Sequence, residues 1–282
     1  MATLKVIKKR ISSVKSTQKI TRAMKLVSAA KLRRATEKAH NSRPYEAELV
    51  SMVSAILRDT DWSSPLVEQR DVKRVAMVVI STDRGLAGSL NTNLFKLAAK
   101  RLGELAGVDV DGFALGKKSN DFFKKRGVTI VSTQTELARS GDYARVSEIT
   151  SGLRKAFIEK KYDRVEVFYS GFQSALVQKP TRLDLLPFVP ETSEEQKSFI
   201  YEPAAAELLS SLVPMLIDFR LFRVVLESVA SEHGARMTAM ESATKNAKEM
   251  IERLTLQRNR ARQAAITKEL MEIIGGAEAL AG

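Results

Sequence analysis

The segment Asp83-Arg-Gly-Leu-Ala-Gly88 is the first place to look for chemistry. It follows the apolar run Val75 to Ile80 and precedes a helical stretch near Asn91 to Leu105, the setting in which phosphate loops form. Neither the G-x-G-x-x-G spacing nor a G-K-[ST] ending is present, so the segment reads as a tight βα turn in which Gly85 and Gly88 permit the backbone path. The absence of cysteine removes disulfides, iron–sulfur clusters and thiol catalysis, and two histidines, His40 and His233, nearly exclude a structural zinc site. His233 lies in Ser231-Glu-His-Gly234 with only Glu232 beside it, which reads as a packed core histidine. Asp109 and Asp111 flank Val110 on one strand face, and with no second carboxylate cluster converging on them they read as solvated acids. No nucleophile stands with a base, so this chain alone is not an enzyme and needs no cofactor.

The elements that would carry such residues are of two kinds. The first proline is Pro44 and the first glycine Gly85, so residues 3–43 contain neither helix breaker. Apolar or small residues recur there in steps of three and four at Leu4, Ile7, Ile11 and Val14, then Gln18 and Thr21, and again, one heptad on, at Ser28, Leu32, Ala35 and Ala39, the spacing of a coiled-coil seam. A second line, Ile20, Met24, Val27 and Ala30, is expected to widen the buried face. Pro44 is expected to kink or restart the helix before it runs on through Leu57. After Pro214 no proline follows, and between 215 and 274 the only glycine is Gly234. About 60 helical residues would span roughly 90 Å. A seam of Leu226, Val229, His233, Met237, Met240, Thr244, Ala247, Ile251, Leu254, Arg258, Ala261 and Ala265 keeps the same steps, its Ala and Thr implying close approach of a partner helix. The two terminal helices are natural antiparallel partners.

Between them, strands are expected at 75–80, 110–115, 128–131, 165–169 and 175–189, with helices at 91–105, 117–126 and 143–160. The fold class is therefore α/β: a long antiparallel coiled coil of N- and C-terminal helices plus a small central Rossmann-like domain. The expected divisions are 1–58, 70–200 and 203–282. A domain of this size is only about 35–40 Å across, so an apolar two-helix rod would project from it and require other protein around it.

Charge shows which kind of protein. The net charge is +13, and residues 1–38 hold 12 Lys or Arg against Glu37 alone, whereas residues 203–282 hold ten of each sign. A segment of that sign seeks phosphate, an anionic membrane surface or a carboxylate-rich protein. A nucleic-acid helix concentrates its cations ahead of the zipper; here they alternate with the seam along the whole segment. A basic coiled-coil nucleic-acid-binding protein is the competing class, and it requires tight, salt-dependent DNA binding. An oxidoreductase built on the α/β domain lacks its dinucleotide fingerprint. An organellar transit peptide would be far shorter. An acidic collar around the rod explains both the charge and the seam.

Thr17-Gln-Lys-Ile-Thr-Arg-Ala-Met-Lys-Leu-Val-Ser-Ala-Ala-Lys31 resembles the opening of the gamma subunit of F-type ATP synthases. Ser81 to Asn91, Ser231 to Met240, and Leu254 to Gly276 resemble its later blocks in the right order, so the likeness covers nearly the whole chain. Family members usually carry Cys and Gly where Ala87 and Ser89 stand here, and the cysteine-bearing regulatory insert of chloroplast versions is missing.

The resemblance implies a rotor shaft, present in one copy, inside a hexameric ring of alpha and beta subunits and seated with epsilon on the c ring. It implies no nucleic-acid partner and membrane contact only through other subunits. Arg262 and Gln263 match positions that hydrogen-bond a beta-subunit loop. Met24 matches a position near the acidic beta-subunit lever, which Lys19, Arg22, Lys25, Arg33 and Arg34 could also meet. Ala265, Ile266, Leu270, Ile273 and Ile274 would form an apolar bearing tip. Met1 without a cleavable signal points to a bacterial inner-membrane complex, peripheral on the cytoplasmic side.

Overall fold

The computed structural model describes residues 4–58, 60, 62–137, 142–189 and 202–281. Two compact units emerge: Ser28–Arg236, and the residues up to Val27 together with those from Met237 onward. Helix α1, Leu4–Arg58, and helix α5, Ala205–Ala281, each run through both.

The larger unit is an open sheet of five strands. In chain order it holds β1 Arg74–Ile80, α2 Leu90–Glu104, β2 Asp109–Leu115, α3 Lys117–Arg126, β3 Thr129–Gln134, α4 Tyr143–Ile158, β4 Arg164–Phe172 and β5 Gln178–Leu186. The spatial order is β3-β2-β1-β4-β5, with β1 to β4 parallel and β5 antiparallel to β4. β1 pairs on both sides, Val75 with Val110 and Arg164, and six of its seven residues are buried, as a continuous apolar run requires. Ala76, Val78 and Ile80 belong to a core with Leu153 and Phe157 of α4 and Leu216, Ile217, Leu221 and Val224 of α5. Val75, Met77 and Val79 pack with Leu94 and Ala98 of α2 and Phe122 and Phe123 of α3. Helices thus cover both faces, the α/β expectation of the sequence.

Three expectations need correction. The expected 175–189 strand begins at Gln178, because Gln173 to Val177 form the hairpin turn, with Val177 donating to the Ser174 carbonyl. Pro44 neither ends nor restarts α1, and α5 likewise begins at Ala205 and carries Pro214 inside it. Each proline forfeits one helical hydrogen bond and adds a steric penalty, about 3 kcal/mol in an isolated helix. Burial on both sides of each offsets that cost: Ala39, Leu49 and Val53 around Pro44, and Leu209, Val213 and Leu216 around Pro214. The second apolar line of α1 is not buried either, since Ile20 and Val27 are more than half exposed and Ala30 is exposed.

Candidate subunit interface

In the smaller unit the two helices meet along the expected seam and run antiparallel. Ile7 and Ile11 pack with Leu254, and Val14 and Ala261 join them. The Thr21 and Thr244 hydroxyls hydrogen-bond at 2.8 Å, and Lys25 Nζ donates to Glu241 at 2.5 Å. These pairings descend on one helix as they rise on the other, so α1, which starts at Leu4, is used up near Ala261. Beyond that point α5 is a single helix, exposed on every side through Ala277.

This places the expected tip. Arg262, Gln263, Ala265, Ile266, Leu270, Ile273 and Ile274 are all exposed, and Ile273 is 72% so. Several large aliphatic side chains on an uncovered helix form an apolar surface that demands a partner. Lys268 and Glu272 pair with each other at 3.5 Å, which leaves the tip with little net field.

The basic surface is assembled only in part. Lys19 and Arg22 are exposed in the smaller unit, Met24 is half-buried there, and Lys25 is drawn into its pair with Glu241. Arg33 and Arg34 are exposed but belong to the larger unit. The sequence reading missed Leu26, Val6, Met250 and Leu256, which are exposed, and assigned Ile20 and Val27 to the wrong side. A signal existed: Leu26 and Val27 are adjacent, and a seam 3.5 residues apart cannot bury both.

The crevice at the carboxyl ends of the parallel strands is where open α/β sheets hold nucleotides. Here Val225, Ser228, Val229 and Glu232 of α5 close over Ile80, Ser81, Leu115 and Ser170, leaving a cavity of about 20 Å³. That volume holds a water, not a nucleotide. The Asp83 carboxylate accepts the backbone N–H groups of Lys117 and Glu136, and Arg236 donates to the Arg84 and Gly85 carbonyls. The glycine turn is therefore a structural tie. Gly116 is required beside it: its φ is +107° and a Cβ would lie 2.2 Å from the Ser81 carbonyl oxygen.

His233, on the same helix, is packed as expected. Burial lowers its pKa from 6.5 to about 4, helped by Arg236 and Lys31, so the imidazole is neutral at pH 7. Burial raises the pKa of neighbouring Glu232, opposed by its ion pair with Arg236 at 2.7 Å. Asp109 pairs with Arg74 at 3.5 Å, and Asp111 accepts the Tyr162 hydroxyl at 2.9 Å.

A family model described as ATP synthase matches residues 3–280. The chain is 43% identical to the ATP synthase gamma chain of Desulforamulus reducens, with 99% of this chain and all of that one covered. It is 45% identical to the gamma chain of Geotalea uraniireducens over the full length of both. It belongs to the ATP synthase gamma chain family. Among solved structures it resembles a chain of the Euglena gracilis mitochondrial ATP synthase OSCP/F1/c-ring assembly, with a TM-score of 0.71, 20% identity, and 98% and 94% of the two chains covered. A chain of the Tetrahymena thermophila central stalk and c-ring structure gives a TM-score of 0.61 at 22% identity, covering 79% of this chain and 99% of that one. As a gamma chain it is a non-catalytic rotor-shaft subunit of the F-type complex. The nucleic-acid reading gains no support. No described helix is long and apolar enough to cross a membrane, and the gamma chain is a peripheral subunit.

Proposed function

We propose that the helical pair of this gamma chain turns inside a ring of alpha and beta subunits and carries rotation from a proton-driven c ring to the catalytic beta subunits. Epsilon and the c ring meet the α/β unit, and the whole complex stands on the cytoplasmic side of a bacterial inner membrane. The observation that carries this reading is the end of the seam: past Ala261, α5 presents an exposed apolar surface with balanced charge. Apolar contact is non-directional, so such a tip is held in a sleeve without being fixed at one angle. A sleeve of that kind lowers the barrier to rotation.

Force transfer needs the opposite chemistry. Lys19, Arg22, Lys25, Arg33 and Arg34, with Met24 among them, offer fixed cations to an acidic lever on each beta subunit as it changes shape. Charged contacts outside the tip fall off with distance and with salt, so they engage and release as the ring moves. Arg262 and Gln263, at the last seam turn, supply hydrogen-bond donors to a beta-subunit loop.

The test is reconstitution. The purified chain is mixed with alpha and beta subunits, the complex is isolated, and its ATPase turnover is compared with that of alpha and beta alone. One copy of the chain per complex and raised turnover are expected. No complex, together with salt-sensitive DNA binding by the isolated chain, would overturn the shaft reading.

A further inference from the structure

Inside the larger unit, the contact between α1 and α5 has a character of its own. Small side chains give way to a group of charges that helix packing does not require. Glu46 of α1 binds the Arg223 guanidinium of α5, and its other oxygen lies 3.7 Å from Arg220 Nε. Arg223 reaches Glu227 one turn on at 2.7 Å, and Arg43 of α1 closes the circuit to Glu227 at 3.9 Å. The buried Tyr169 of β4 lies close enough to Glu227 and Arg223 to feel both charges. Glu227, Arg220 and Glu46 have side chains 8%, 10% and 14% exposed, so these ions are largely removed from water. One turn earlier on α5, Asp218 receives the Arg154 guanidinium at 3.1 Å and the Ser147 hydroxyl at 2.9 Å, both from α4.

Ion groups buried in this way contribute little net stability compared with apolar residues of the same volume, because desolvation offsets their attraction. What they do contribute is registry. An apolar interface slides by a turn at small cost, whereas sliding here would leave several buried charges without partners. A stretch of α5 is thus fixed to α1, to α4 and to the sheet at once.

We propose that the Arg43–Glu46–Arg220–Arg223–Glu227 network is a register lock that stops α1 and α5 sliding past each other under load, so that twist applied to the α/β unit passes into both helices together. The inference rests on the shaft reading. Unlocked, the helices would slip past each other under load, and ATP turnover would continue while less of its energy reached the proton path. These are positioning residues.

The experiment uses the complete membrane-bound complex carrying Glu46→Gln, and separately the conservative Glu46→Asp, which keeps the carboxylate facing Arg220 and Arg223. Proton pumping per ATP hydrolysed is read in vesicles alongside thermal stability. A control, Glu166→Gln, disturbs the buried Arg101–Glu166 ion pair, which joins α2 to β4 and does not lie between α1 and α5. Expected are a fall of about twofold or more in pumping per ATP for Glu46→Gln, a smaller fall for Glu46→Asp, and unchanged pumping per ATP in the control at temperatures where it is folded. Pumping per ATP in Glu46→Gln equal to wild type, or lowered only in step with the control's loss of stability, overturns the lock. Failure of the wild-type chain to couple at all would instead overturn the shaft reading, so the two failures are distinct.

Discussion

At the scale of single residues, the buried titratable groups of this chain serve its structure. His233 makes the point measurable. Its folded-state pKa is about 4 against an ordinary 6.5, first because it is buried and then because Arg236 and Lys31 are cations. Between those two pH values the unfolded chain takes up a proton that the folded chain refuses, so stability is full above pH 6.5 and falls as pH drops toward 4. With the group still partly open to solvent, the loss is about 1–2 kcal/mol. Glu232 works in the opposite sense, since a raised carboxyl pKa favours the fold as that carboxyl is protonated. Denaturant unfolding of wild type and His233→Gln at pH 7.5 and pH 4.5 isolates the histidine. The wild type should lose more stability than the variant between the two pH values, and equal losses would show that His233 is not held neutral. The sequence placed this residue on the seam, but only the fold shows the burial, and then the two cations, that keep it unprotonated.

At the scale of elements, the seam was legible and its limits were not. Ile7, Ile11, Ala35 and Ala39 lie buried as the three-and-four spacing requires. Ile20 and Val27 do not, because one partner helix covers one stripe and apolar residues outside it stay in water. Pro44 and Pro214 misled for a related reason: local propensity ranks a proline as a break, and burial on both sides outweighs it. The central strands were readable because a run such as Val75 to Ile80 belongs to a doubly covered sheet, while the hairpin turn at Gln173 to Val177 has Leu176 and Val177 where turn residues are usual. The seam's end makes an element-scale prediction. The described side chains past Ala261 are exposed on every side, so removing 265–282 should shift the thermal midpoint of the isolated chain by less than about 2 °C, while the assembled complex loses part of its ATPase turnover. A large drop in the midpoint would mean that the tip packs on its own chain.

At the scale of the whole molecule, charge and apolar surface divide the labour of assembly. Residues 1–38 carry 12 cations against one acid, and Lys19, Arg22, Arg33 and Arg34 pair with no acid among the described residues. The tip's pull is apolar and is not screened by salt. On the proposed reading, long-range attraction to an acidic ring governs how fast the shaft enters, and apolar burial governs whether it stays. Raising salt from about 0.05 to 0.5 M shrinks the screening length to about 4 Å and should slow association with alpha and beta subunits by about tenfold. Turnover of the complex assembled beforehand should change far less. Replacing Lys19, Arg22, Arg33 and Arg34 by Gln should lower the association rate at low salt and flatten its salt dependence, with the melting behaviour of the isolated chain preserved because these side chains are exposed. An association rate indifferent to salt in the wild-type chain would place recognition in the apolar tip alone and leave the cations to act only after the shaft is seated.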